Sequence, residues 1–278
     1  MIKNDIKIAA FDLDDTLLDT QGRLTDYTIR VMENASAQGI EMVIASGRPY
    51  FALPKELVEQ PWMHYAICSN GARIYDLRSG ECISACYLSE KSINRFLEVT
   101  DGYGNDIFRD AFTKGNPHSE QRYLDSLDLL PLTETRKRYL RWSRIPEPDI
   151  KAFIKENIFC MDCLNVICFN PEMLNNIRMR ITEEVEDIFL TSSIPHMIEM
   201  SDKKSGKGKA LHRLAGILGV ELTQTAGFGN SENDSEMLIY AGLGCAVANS
   251  DKEALEAADK IIGANSEDGV AKEIESWL

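Results

Sequence analysis

Two aspartates with one residue between them, Asp12 and Asp14, follow directly on the apolar run Ile6-Lys-Ile-Ala-Ala-Phe11. The run reads as a buried strand, and side chains two apart along a strand point the same way. Carboxylates that close repel each other and should not both be ionised without a cation. Mg²⁺, a hard ion held by a few carboxylates plus phosphate oxygens, suits such a pair. The pair also divides labour: one carboxylate can be a nucleophile, the other a proton donor and acceptor. A solvated acidic turn or a helix cap is the alternative reading. A calcium loop is excluded, because an EF-hand starting at Asp12 needs Gly and Glu where this chain has Leu17 and Arg23.

Three further stretches carry residues suited to a phosphate. Met42-Val-Ile-Ala-Ser-Gly-Arg-Pro49 reads as a strand running into a hydroxyl, a glycine and an arginine, with Pro49 placed to open a helix. Ser46 can donate to a phosphate oxygen, Gly47 permits close backbone approach, and Arg48 can pair with an anion or a carboxylate. In Ser205-Gly-Lys-Gly-Lys-Ala-Leu211, Lys207 stands between glycines at a helix start, where a cation can neutralise developing charge. This is no P-loop, because Ala210 follows Lys209 where Ser or Thr must stand, and the upstream glycine is missing. Thr225-Ala-Gly-Phe-Gly-Asn-Ser-Glu-Asn-Asp-Ser-Glu-Met-Leu238 reads as a short strand, a polar loop and a helix.

Taken in order, these pieces resemble the four motifs of the haloacid dehalogenase superfamily. Residues 11–18 are similar to its D-x-D-x-T motif, and Ser46–Pro49 to the S-G-R-P form of its Cof-type subgroup. Aligning Gly208, Ala210 and Leu211 on the subgroup's S-K-G-x-A-L selects Lys207 among lysines 203, 204, 207 and 209. Gly229, Asn233 and Asp234 match G-D-x-x-N-D, and Asn230 departs from it, standing where the family has Asp. His64–Ala72, ending in Asn70-Gly-Ala, and the stretches 242–249 and 265–271 resemble further parts of the subgroup.

The resemblance implies a Mg²⁺-dependent phosphomonoester hydrolase acting through an aspartyl-phosphate. By it, Asp12 is the nucleophile and Asp14 the acid–base, with Ser46, Gly47 and Lys207 binding the phosphoryl group. Arg48, Asn70 and Asn233 are candidates for substrate contact. Asp12, Asp14 (through its backbone carbonyl) and Asn230 are the expected metal ligands, with Asp234 supporting the ion through water. Asn brings an oxygen but no charge, so Mg²⁺ should bind more weakly. Two alternatives stay open: a catalytically weakened phosphate-ligand-binding or regulatory protein, and a sugar phosphotransferase resembling phosphomannomutase.

The elements that must position these residues alternate. Strands are expected near 6–12, 41–46, 64–69, 225–229 and 244–248, and helices near 25–38, 207–218, 232–240 and 268–277. Such alternation predicts an α/β fold with a doubly wound parallel sheet, Rossmann-like, and ligands at the strand C-termini. The resemblance adds an inserted mixed α/β cap that selects substrate: core at 1–84 and 194–278, cap at 85–193. Within the cap a helix is expected at Glu90–Val99, a strand at Cys163–Phe169, a helix at Pro171–Glu184 and a loop at Thr113–His118. Arg109, Lys114, His118 and Arg122 form a candidate basic group.

The chain has 278 residues and a formal charge of −14. That acidity argues against nucleic acid and anionic membranes as partners, and a small phosphorylated metabolite is the expected one. No signal peptide or bilayer-length apolar segment is evident. With seven cysteines, an odd count, reduced thiols and a cytoplasmic location are expected. Cys160 and Cys163 read as buried thiols, because no second ligand pair accompanies them. Monomer and homodimer are both compatible with the sequence.

Overall fold

The computed structural model describes residues 5–278. Its strands, in chain order, are β1 (Ile8–Phe11), β2 (Glu41–Ala45), β3 (Met63–Cys68), β4 (Arg73–Asp76), β5 (Glu81–Ala85), β6 (Phe108–Thr113), β7 (Asn116–Glu120), β8 (Ile145–Glu147), β9 (Met161–Ile167), β10 (Ile188–Thr191), β11 (Met197–Asp202), β12 (Thr225–Gly229), β13 (Leu243–Val247) and β14 (Lys260–Ile262). The chain divides into two compact units. One comprises the described residues up to Ser84 together with Ser205–Leu278, and the other is Ala85–Lys204.

The first unit is built on a sheet of order β14-β13-β12-β1-β2-β3-β4-β5. Pairing is parallel from β14 to β3 and turns antiparallel at β4. Every residue of β1 is buried, as a parallel strand covered on both faces requires. Ile8, Ala10, Val43, Ala45 and Ile67 pack against Ala210, Leu211, Leu214 and Ala215 of the helix Lys207–Leu218. The alternate residues Ala9, Phe11, Met42, Ile44 and Ala66 pack with Val31, Met32 and Ala35 of the helix Asp26–Ala37, and with Val270, Ala271 and Ile274 of Gly269–Glu275. From β1 the chain builds outward to β2 and β3 on one side and, after returning, to β12, β13 and β14 on the other. The strand order therefore reverses beside β1, the place where open α/β sheets bind ligands.

The second unit has a sheet of order β10-β11-β9-β6-β7-β8. It is antiparallel except between β7 and β8. The helices Glu90–Asp101 and Pro171–Glu184 place Ile93, Phe96, Ile177 and Ile181 on one face, over Ala111, Leu164, Val166, Ile198 and Met200. Pro171 opens its helix without losing a needed donor, behind Asn170, whose Oδ1 accepts the Met173 amide at 3.1 Å.

The structure revises several sequence expectations. Residues 194–204 were assigned to the core, but β11 pairs with β9 and β10, and the second unit runs on to Lys204. Ile198 and Met200 fill this second core, a pairing no local pattern announces. The expected loop at Thr113–His118 is the tip of the hairpin β6–β7, turning at Lys114 (φ 51°) and Gly115 (φ 80°). Pro117 lies within β7. The strand predicted at Cys163–Phe169 begins earlier, at Met161.

The basic group does not assemble. Arg109 is buried against Thr100 and Asp101. His118 pairs with Glu147 and stacks on Phe153, and Arg122 binds Glu120 and the Asn105 and Ile107 carbonyls. All seven cysteines are free thiols, and the Sγ atoms of Cys160 and Cys163 have separate partners in Thr113 and Asn165. Among the described residues no helix is long and apolar enough to cross a membrane.

Candidate active site

The register of the first sheet brings the four motifs together. β1 pairs with β12 and β2 so that Phe11 lies beside Phe228 and Ile44, and the residues after each strand emerge at one edge. The Asp12 amide still bonds the Phe228 carbonyl at 2.9 Å, Ser46 N bonds Ile67 O at 2.9 Å, and Asn70 N bonds Ser46 O at 3.2 Å. Past Asp12 the chain breaks from the strand into a kinked turn, with Asp14 extended (φ −71°, ψ 123°) and Asp15 left-handed (φ 60°).

The centre is a buried triad of charges. Lys207 Nζ donates to Asp12 Oδ1 at 2.7 Å and to Asp234 Oδ1 at 2.6 Å. Lys207 and Asp234 are fully buried and Asp12 nearly so. Burial opposes the Lys207 ammonium, but Asp12 and Asp234 outweigh it and hold its pKa well above the ordinary lysine value. The Asp12 carboxyl is pushed up to about 7, first by burial and then by the charges of Asp234 and Asp14, with Lys207 opposing. Asp12 Oδ2 takes no hydrogen bond from the described residues.

Asp234 is a buttress. Besides Lys207, it accepts the amides of Asn230 and Ser231 on Oδ2 at 2.9 and 3.1 Å, which fixes the loop after β12. That loop needs glycine at 229, since a Cβ there would come within 2.3 Å of the Asp234 Cβ. Gly206, before Lys207, has φ 107° and its amide bonds the Asn70 carbonyl at 2.8 Å, which ties the lysine-bearing helix to the loop after β3.

Asp12 and Asp14 do not share one cation from the protein. The Asp14 side chain turns to Arg48, which grips it with two bonds, Nε to Oδ2 at 2.9 Å and Nη2 to Oδ1 at 2.6 Å. Arg48, a candidate for substrate contact, thus holds a carboxylate. Asn70 and Asn233, the other two, are buried and bonded to each other at 3.0 Å. Gly47 packs beside Asn70, whose Oδ1 lies 3.1 Å from where a Cβ would stand. Ser46 Oγ accepts the Arg48 amide at 3.2 Å, which leaves its hydroxyl hydrogen to donate outward.

Thr16 escaped the sequence reading, although it is the threonine of D-x-D-x-T. Its Oγ1 donates to Asn230 Oδ1 at 2.9 Å and so joins the first and fourth motifs. The buried hydroxyls of Ser69 and Ser205, which no motif announces, have no partner among the described residues.

A family model for haloacid dehalogenase-like hydrolases matches residues 9–274. The chain belongs to the haloacid dehalogenase-like hydrolases. It is 29% identical over 288 residues to phosphatase YwpJ of Bacillus subtilis, covering 96% of this chain and 98% of that protein. It is 27% identical over 278 residues to the B. subtilis 5-amino-6-(5-phospho-D-ribitylamino)uracil phosphatase YcsE, covering 99% of this chain and 96% of that one. A solved haloacid dehalogenase-like hydrolase from B. subtilis superposes with a TM-score of 0.84 at 26% identity, over 98% of this chain and 100% of that one. This hydrolase is an enzyme of a family whose full-length relatives carry phosphatase names.

Mg²⁺ fits the donors this hydrolase presents, though on fewer charges than its family motif provides. Asp12 offers a carboxylate, Asn230 an amide oxygen and Asp14 a backbone carbonyl, all hard oxygens suited to Mg²⁺. With Asp12 ionised, the triad of Asp12, Lys207 and Asp234 carries one net negative charge, which favours a cation. Asp234 has both oxygens engaged by Lys207 and the loop amides, so it shapes the site instead of offering a free ligand. Among the described residues no three His, Cys, Asp or Glu side chains converge as a metal group.

Proposed function

We propose that this enzyme is a Mg²⁺-dependent phosphomonoester hydrolase for a small phosphorylated metabolite, acting through a phosphoaspartate on Asp12. The observation that carries the reading is the buried Asp12 carboxylate, gripped on one oxygen by Lys207 and open on the other. In the first step Asp12 Oδ2 bonds to phosphorus as the ester P–O bond breaks, and Asp14 gives its proton to the departing oxygen. In the second, a water oxygen bonds to phosphorus as the Asp12–phosphorus bond breaks, and the water proton passes to Asp14. Ser46 Oγ and the Lys207 ammonium hold the phosphoryl oxygens throughout, which is catalysis by positioning and charge. Mg²⁺, held by Asp12, Asn230 Oδ1 and the Asp14 carbonyl, supplies further neutralisation of phosphoryl charge when bound.

Ala85–Lys204 acts in this reading as the cap that chooses the substrate. YcsE, named for a phosphorylated ribityl compound, supports sugar phosphates and related metabolites as the class to screen first. The deciding assay is hydrolysis of 4-nitrophenyl phosphate with Mg²⁺. Asp12→Asn should lower kcat by about a thousandfold or more, because nothing replaces the nucleophile. Equal rates for the variant and the parent enzyme end the proposal. Asn230 motivates a second reading, a phosphate-binding protein with weakened turnover; tight binding of a phosphorylated ligand without product release would favour it.

A further inference from the structure

We infer that Arg48 is a positioning residue for proton transfer, fixing the Asp14 carboxyl where the leaving group departs. The inference rests on the reading of Asp14 as the acid. Asp14 sits on a turn outside regular structure, and its side chain is 57% exposed. Among the described residues, both of its side-chain hydrogen bonds come from Arg48. A planar guanidinium bonded to both carboxylate oxygens fixes the orientation of the carboxylate plane, which a single contact does not. Each oxygen keeps a second lone pair, so the grip leaves Asp14 able to receive a proton and hand it on.

Arg48 is itself held from three sides. Its amide donates to Ser46 Oγ at 3.2 Å, its carbonyl accepts the Ser69 amide at 3.0 Å, and its Nη1 reaches the Ala52 carbonyl at 3.3 Å. The phosphate-binding hydroxyl of Ser46 and the proton carrier Asp14 are therefore set by one residue. Lysine would keep the charge and lose the planar two-point grip.

The test is kcat on 4-nitrophenyl, phenyl and benzyl phosphate, whose leaving groups need progressively more help from an acid. Asp14→Asn, Arg48→Met and Arg48→Lys are compared with the parent enzyme, each with Mg²⁺. General-acid help is worth about 10²–10⁴-fold. Arg48→Met should therefore lose about tenfold or more in kcat on benzyl phosphate beyond its loss on the nitrophenyl ester, with KM changed little. Arg48→Lys should show the same steepening.

A selective loss in Asp14→Asn and in both Arg48 variants supports the inference. If Asp14→Asn is selective while either Arg48 variant loses all three esters equally, total loss included, or loses nothing, the inference is overturned and the acid role of Asp14 stands. If Asp14→Asn itself shows no selectivity, the acid reading falls and the inference with it.

Discussion

Asn230 is the residue that most sharply separates this site from its family pattern. Its oxygen is held by Thr16 and its amide by Asp234, so the position is as firmly built as an aspartate would be, less one charge. Affinity for a hard cation rises with ligand charge. Asn230→Asp should therefore lower the Mg²⁺ concentration for half-maximal activity by about tenfold, read from Mg²⁺ titrations of phosphatase rate. The same variant should raise the Mg²⁺-induced shift in melting temperature at fixed ion concentration, because ligand binding stabilises the folded state. Unchanged values in both experiments would remove position 230 from the metal. At this scale the sequence was informative: motif spacing singled out Asp12, Ser46, Lys207 and Asp234, and the fold gathers them at one sheet edge. It could not say which charge pairs with which. Two aspartates two residues apart pointed to a cation, and the structure adds that each carboxylate also has its own basic partner, Lys207 for Asp12 and Arg48 for Asp14.

Among the elements, the core helices and strands followed their patterns closely, since each buries one clean stripe or an unbroken apolar run. The second unit was harder to read. Its strands β6 and β11 are set by pairing to β9, distant from both in the chain, and Pro117 and the Lys114 turn masked the local hairpin β6–β7. His196, just before β11, shows how that packing creates a pH response. It stacks on Phe169 with a ring-centroid distance of 4.6 Å, and its Nε2 is buried without a partner. Burial, and then the charge of Arg136, lower its pKa. The unfolded chain, with histidine at about 6.5, thus binds the proton more readily than the fold. The stability this neutral ring contributes is present above that value and is lost as pH falls through the lower folded one. His196→Phe should keep the ring stack and lose less stability between pH 7.5 and 5.5 than the parent protein, compared by urea midpoints. An identical acid loss in both would show that His196 is not a source of it.

For the whole molecule, the formal charge of −14 sets a background of self-repulsion that compactness opposes. Salt screens such long-range terms. The melting temperature in EDTA should therefore rise as NaCl is raised from low to physiological strength; a fall would mean that attractive ion pairs dominate the electrostatics. By itself the sequence determined the α/β class and the doubly wound core, and its four motifs, through their resemblance to a family, pointed to that family and to the candidate site residues. The class and the core depend on local periodicity, and each motif on residue types at short spacing, which its own stretch of chain displays. Only the tertiary structure decided that Arg48 holds Asp14, that Thr16 holds Asn230, that Asp234 buttresses a loop, and that residues 194–204 belong to the second unit. Apart from the local Asp234 loop, these are contacts between separate segments of the chain, fixed by sheet register and close packing, and no single segment carries that information.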